Sequence, residues 1–291
     1  CIECNACLTE CPERAILPQS AVPEAMHDFI ALNAEKALIY PVIRESIGHD
    51  VAASPMAAFT GRFAVVGSGP SGFYAAEELL KQMPAARVDM FERLPTPFGL
   101  VRYGVAPDHP RIKSVSSGFE RIAENARFRF FGNVAIGRDV QRAELLQNYD
   151  GVIYATGGSR SRELDIAGAD LPNIFGSSTF VSWYNGHPDQ RELAVDLSGQ
   201  TAVVIGIGNV ALDIARMLVL EPAQLAKTDV ADEALAVFKT SSVDEVVLMA
   251  RRGPAQAAFT PKELEQLMGL ANLDLIVDPA DLELDAQTAA E

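Results

Sequence analysis

Apolar and polar positions fall into one arrangement twice along this chain. Phe63-Ala64-Val65-Val66 is an apolar run that ends at Gly67-Ser68-Gly69-Pro70-Ser71-Gly72, and an amphipathic segment and the strand-like Arg87-Val88-Asp89-Met90-Phe91-Glu92 follow. Strand, glycine turn, helix and second strand in that order predict a βαβ unit over 63–92. Thr201-Ala202-Val203-Val204-Ile205-Gly206-Ile207-Gly208-Asn209-Val210-Ala211 repeats the pattern with alanine in the third small position, and a strand over Val243 to Ala250 is expected after it. Between the two copies, Arg111 to Asn125 has helical character and Arg127 to Phe131 reads as a strand leading to Ile136. Asp150 to Gly158 reads as a further buried strand ending in glycines. Four prolines and two glycines between Leu94 and Pro110 exclude a long helix or an inner strand, so this stretch is a shaped loop at the sheet's carboxyl edge. Glu221 to Thr240 reads as a helical insert of scaffold, and Leu273 to Val277 as strand-like.

The glycine turns are where the pattern acquires chemistry. Gly67 answers a tight turn, Gly69 lets a pyrophosphate approach the backbone N–H groups of a helix N-terminus, and Gly72 lets that helix pack on its strand. Glu92 closes the second strand, placed to accept from a ribose 2′-hydroxyl. A structural glycine turn is the plain alternative. In the second unit, Gly206, Gly208, Asn209, Val210 and Ala211 form the corresponding turn, but the next strand runs into Arg251-Arg252-Gly253 where an NAD site would place an acid. Two guanidiniums suit a 2′-phosphate through charge-assisted bonds, which favours NADP, with a solvated turn as the alternative. His109 is a candidate for proton exchange near neutral pH, against a satisfied loop histidine. Glu263, after Thr260, is equally an ordinary first-turn carboxylate. Phe180 to Pro188 holds the only tryptophan, Trp183, and no catalytic role is assigned to it.

All four cysteines occur as Cys1-x-x-Cys4-x-x-Cys7-x-x-x-Cys11-Pro12, the bacterial ferredoxin spacing in which three thiolates wrap one iron–sulfur cluster and the fourth serves another. Split zinc pairs and a secreted disulfide framework fit this run poorly. The 291 residues carry 24 Lys plus Arg against 39 Asp plus Glu, a formal charge of −15, which argues against nonspecific binding to nucleic acid or anionic membranes. An apolar content of 48% suffices for real cores. No apolar run is long enough to span a bilayer and no signal peptide is visible, so the cytoplasm is the expected compartment.

Pro97-Phe98-Gly99-Leu100-Val101-Arg102-Tyr103-Gly104 through His109, taken with Gly67 to Gly72, closely resembles the adrenodoxin-reductase-like ferredoxin–NADP(+) reductases, including bacterial members fused to an N-terminal ferredoxin. The resemblance extends over nearly the whole chain. It implies FAD on the first glycine loop, with Ser71 in contact, the ribose on Glu92, the flavin beside Leu100, the adenine near the backbone of Ile136, and a second backbone approach at Gly157. It implies NADP contacts from Arg162, and a nicotinamide pocket bordered by His109 and Glu263. The implied fold class is α/β, with two Rossmann-like dinucleotide-binding domains, for FAD and NADP, preceded by a partial α+β ferredoxin-like 4Fe-4S domain.

The expected boundaries are 1–47 for the iron–sulfur domain, 48–61 for a linker, 62–160 for the first FAD segment and 161–291 for a truncated NADP domain. A start at Cys1 and a stop soon after 273–277 suggest a fragment at both ends, expected to bind FAD weakly and turn over poorly. Nicotinamides move electrons in pairs and clusters singly, so a flavin between them explains why these motifs share a chain. The expected activity is electron transfer between NADPH and ferredoxin, either a separate protein or the fused domain. The alternatives are a glutamate-synthase small-subunit-like oxidoreductase and a non-catalytic electron-transfer module.

Overall fold

The structure is a computed structural model that describes residues 58–158, 161, 164–251, 253 and 256–282. The four cysteines, Arg162 and Arg252 lie outside the described residues, as do the expected iron–sulfur domain and residues 48–57 of the linker.

The first repeat folds as its pattern predicts. Strand β1 (Arg62–Val66), helix α1 (Pro70–Gln82) and strand β2 (Arg87–Phe91) form the βαβ unit. The proline-rich loop contains one helical turn, α2 (Leu100–Tyr103). The segment expected to be helical over 111–125 breaks at Ser114 and Val115 into α3 (Pro110–Lys113) and α4 (Ser116–Ala123). Strand β3 (Phe128–Phe131), helix α5 (Arg142–Asn148) and strand β4 (Gly151–Tyr154) complete the half. All pairs are parallel in the order β3-β2-β1-β4, with Val66 beside both Phe91 and Tyr154.

Period-two alternation decides what each face buries. Val65, Val88 and Met90 point into a core with Phe73, Ala76 and Leu80 of α1 and Phe119 of α4. Phe73 and Phe119 stack with ring centroids 4.8 Å apart. Ala64, Val66 and Phe91 point to the other face, against Leu145 of α5. Asp89 shares that face and is 2% exposed, yet it is well supplied with donors. Arg129 donates twice at 2.7 and 2.6 Å, Arg62 at 3.1 Å and the Tyr149 hydroxyl at 2.7 Å. Burial works to raise the Asp89 pKa, but these donors outweigh it and hold the carboxyl below its usual range. Burial and the Asp89 bond push Tyr149 up to about 12.

Two sequence expectations are corrected. Among the described residues β4 is an edge strand, not a buried one: its residues are half-buried and Tyr154 is 49% exposed, with β1 the one described strand it pairs with. Residues 273–277 form no strand, since no described strand pairs with them, and Ile276 is 89% exposed.

The second repeat gives β5 (Thr201–Ile205) and β6 (Glu245–Met249), a parallel pair with Ile205 beside Met249. Helix α6 (Ser177–Tyr184) precedes β5 in the chain, and α7 (Asn209–Val219), α8 (Pro222–Leu225) and α9 (Asp232–Phe238) lie between the two strands. The core joins Phe180, Trp183 and Tyr184 of α6 to Ile214, Met217 and Leu218 of α7 and to Leu225, Ala234 and Phe238. Trp183 is thus a core residue, its ring 5.5 Å from that of Phe238. Described residues through Arg251 form one compact unit, and residues from 253 onward fall outside it, including α10 (Pro261–Met268). That break lies inside the expected 161–291 domain.

Candidate functional site

Within the first half, β1 delivers the chain to Gly67, which has φ +105°, a conformation an L side chain rarely adopts. Its N–H bonds the Phe91 carbonyl at 2.8 Å, closing the turn over β2. A Cβ on Gly72 would run into the Gly67 carbonyl oxygen, so the missing side chain lets α1 start directly on the turn. Gly69 is the N-cap of α1, and no side chain caps that terminus or places an acid in its first turn. The N-terminal N–H groups and the positive end of the helix dipole therefore face the loop with no acid from the helix's own first turn. Ser71 is exposed in this turn.

The proline-rich loop closes against the same glycines. Phe98 donates its N–H to the Ser68 carbonyl at 2.9 Å, and Gly99, at φ +49°, brings its backbone against Gly69. Phe98 itself holds φ 91°, rare for an aromatic residue, with its ring buried 5.4 Å from Phe73. Leu100 follows, 65% exposed at the start of α2. Glu92 accepts from the Ser68 N–H at 3.0 Å, the Ser68 hydroxyl at 2.7 Å and the Leu94 N–H at 3.0 Å. Three donors leave such a carboxylate roughly one further accepting position of about four. Gly157, at φ +69°, lies just beyond β4 in open space, and Ile136 is half-buried beside Val140. The carboxyl ends of β1 and β4 diverge here, since the chain winds from β1 toward β2 on one side and β4 lies on the other. Such a point is where open parallel sheets leave a crevice for a ligand.

The second half repeats the device. Gly206 has φ +137° and bonds the Met249 carbonyl at 2.9 Å. Gly208 caps α7 with nothing within 4 Å of where a Cβ would stand, and again no side-chain cap or first-turn acid is present. Asn209 and Val210 open the helix and Ala211 is buried beneath it. Arg251 is exposed at the carboxyl end of β6. Both loops thus fit a dinucleotide's pyrophosphate by their own geometry, and Arg251 supplies a cation at the second.

Between the halves, within the same compact unit, lies a charged cluster that sequence reasoning found only in part. Arg216 of α7 is 2% exposed. Its Nε donates to Asp108 at 2.6 Å, and Nη2 lies 3.0 Å from the other Asp108 oxygen, 2.6 Å from Asp213 and 2.9 Å from Nε2 of His109. Burial disfavours the guanidinium charge, but the two carboxylates more than offset it and raise its pKa. The buried Tyr184 hydroxyl has no hydrogen-bond partner among the described residues. Its pKa is raised by burial first and by Asp213 second. Asp108, Asp213, Arg216 and Tyr184 were not expected. The available signal was an Asp and an Arg three residues apart on an otherwise apolar helix face. Nearby, Lys113 donates to both Asp229 oxygens at 2.9 and 2.8 Å and to Asn185 at 3.1 Å, and Arg93 pairs with Asp189 at 2.7 Å.

Glu263 belongs to the separate unit. There Thr260 caps α10, its hydroxyl accepting from the Glu263 N–H at 3.4 Å, which is the first-turn arrangement weighed from sequence.

A profile of the pyridine nucleotide-disulphide oxidoreductases matches residues 61–268, more than two thirds of the chain. The chain is 54% identical over 225 residues to the NADPH-ferredoxin reductase FprA of Mycobacterium leprae, covering 76% of this chain and 49% of that protein. It is 49% identical over 222 residues to the mitochondrial NADPH:adrenodoxin oxidoreductase of Bos taurus, covering 76% and 45%. A Mycobacterium bovis protein named "Probable ferredoxin/ferredoxin--NADP reductase" is 52% identical over 219 residues, covering 75% and 37%. Mycobacterium tuberculosis FprA in complex with NADPH superposes with a TM-score of 0.75 at 54% identity, over 76% of this chain and 50% of that one. The chain spans about half the length, or less, of these relatives.

Proposed function

The chain belongs to the pyridine nucleotide-disulphide oxidoreductase family, and from that premise we propose that it is the FAD- and NADPH-binding part of a ferredoxin–NADP(+) reductase. The observation that carries this reading is the pair of glycine turns, each opening on an uncapped helix N-terminus free of first-turn acids, with Arg251 at the edge of the second sheet. The names of the relatives, an NADPH-ferredoxin reductase and an NADPH:adrenodoxin oxidoreductase, support the same activity.

In this reading Gly67, Gly69, Ser71 and Gly72 take the FAD pyrophosphate and Glu92 its ribose, with Leu100, Ile136 and Gly157 bordering the ligand. Gly206, Gly208, Asn209, Val210, Ala211 and Arg251 hold NADPH, joined by Arg162 and Arg252. His109 and Glu263 serve the nicotinamide end. Cys1, Cys4, Cys7 and Cys11 bind a 4Fe-4S cluster in a fused ferredoxin domain, and a ferredoxin is the electron partner, in the cytoplasm. Among the described residues no helix is long and apolar enough to cross a membrane. When bound, the flavin supplies the conversion between paired and single electrons. The chain's own part is to orient each nucleotide at the carboxyl ends of its strands and to match its charge.

The 2′-phosphate tests this most directly. In full-length protein reducing an artificial one-electron acceptor, Arg251→Ala removes charge-assisted bonds worth about 1.5–3 kcal/mol. The expected result is a KM for NADPH raised by roughly tenfold to a hundredfold, with the KM for NADH unchanged. An equal loss for both nucleotides would count against NADPH at this site.

A further inference from the structure

His109 is 8% exposed, and its ring meets a residue far away in sequence. Nη2 of Arg216 stands 2.9 Å from Nε2 of His109. A guanidinium nitrogen has hydrogens to give and no lone pair to accept with, and the group stays protonated in proteins. A hydrogen on Nε2 would therefore set donor against donor at hydrogen-bond distance, whereas a lone pair there accepts. The two Nη2 hydrogens are shared among Asp108, Asp213 and His109 in three-centre fashion. On the ring's other side, Nδ1 faces an Asp213 oxygen at 4.0 Å, so a hydrogen on Nδ1 points toward a carboxylate.

We propose that Arg216 is a positioning residue that fixes the His109 tautomer: the guanidinium occupies Nε2, and the neutral ring carries its hydrogen on Nδ1, toward Asp213. The same guanidinium grips the carboxylate of Asp108, the residue before His109, through Nε and Nη2, so two successive side chains of the loop are held by one arginine. The His109 ring then carries a fixed donor, Nδ1–H, and its Nε2 lone pair is already engaged by Arg216. That differs from the expectation from sequence of proton exchange near neutral pH and is nearer to its alternative, a satisfied loop histidine. The inference rests on this geometry alone and does not require the redox reading.

The test is two-bond 1H–15N correlation spectroscopy of protein labelled on histidine nitrogens, recorded at alkaline pH, with the His109 signals identified by their loss in His109→Gln. The chain has only four histidines, which keeps the spectrum tractable. Wild-type protein is expected to show the Nδ1–H pattern at His109. A wild-type Nε2–H pattern overturns the proposal by itself. In Arg216→Met the pattern is expected to move to Nε2–H, the form free imidazole side chains prefer. An unchanged Nδ1–H pattern in the folded variant equally overturns it. If Arg216→Met fails to fold because two carboxylates lose their cation, the double variant Asp108→Asn, Arg216→Met gives the same reading with the charge rebalanced. If that also fails, the wild-type pattern decides.

Discussion

Asp89 shows how one residue can combine a buried charge with a stable strand. A carboxylate at the centre of a parallel sheet is costly unless paired, and here four hydrogen bonds from three side chains meet it. Replacing it in Asp89→Asn leaves two guanidiniums facing an amide and is expected to cost about 1–3 kcal/mol of stability. The pH dependence has a definite sign. A carboxyl held below its ordinary value in the folded state stabilises above the unfolded value of about 4, and that contribution is lost as pH falls through the lower, folded value. Urea unfolding of wild type against Asp89→Asn across the acid range should therefore show two curves converging as pH falls. Parallel curves would mean that Asp89 does not titrate differently on folding. The alternation of Val88, Asp89 and Met90 was legible in sequence. That Arg62, Arg129 and Tyr149 converge on the one polar position was not, because they come from three separate strands and loops.

Among the elements, glycines at different positions of the two turns do different things: Gly72 is the third small residue of its turn, where the second turn has Ala211, and Gly208 is the second of its own. At Gly72 a Cβ meets backbone, the Gly67 carbonyl, which cannot swing aside as a side chain can. Gly72→Ala is therefore expected to cost roughly 1–3 kcal/mol through forced displacement of α1 from β1, read as a lowered thermal midpoint. At Gly208 the same methyl meets open space and a backbone that alanine can adopt. Gly208→Ala should cost less than about 1 kcal/mol, the loss of a glycine N-cap. Calorimetry on the pair separates them, and equal destabilisation would show that the first glycine is not needed for helix packing. Sequence spacing marks both turns as ligand loops, and only the packed structure tells a glycine kept for the scaffold from one that leaves room. β4 carries the same lesson. An apolar run of four predicts a strand, but whether it is covered on both sides depends on strand order, which no local pattern contains.

For the whole molecule, the iron–sulfur expectation stands on the cysteine spacing and is independent of the folded unit at 58–251. Iron and acid-labile sulfide assayed in full-length protein purified without oxygen should reveal a cluster. Cys4→Ser and Cys7→Ser should each lose most of the iron while FAD content stays unchanged. Iron that survives both substitutions would refute ligation by these thiolates.

Local chemistry settled much of this protein in advance. Glycines before a helix, an acid closing β2 and an arginine closing β6 are adjacent in sequence to the elements that position them, so both loops could be read directly. The Arg216 cluster could not. Its guanidinium meets Asp108 and His109 across 108 and 107 residues of chain, a pairing that exists only once the proline-rich loop of the first half and α7 of the second have folded against each other. Burial then turns an ordinary arginine and histidine into a fixed pair, because in a dry site each donor must find an acceptor and each lone pair a hydrogen.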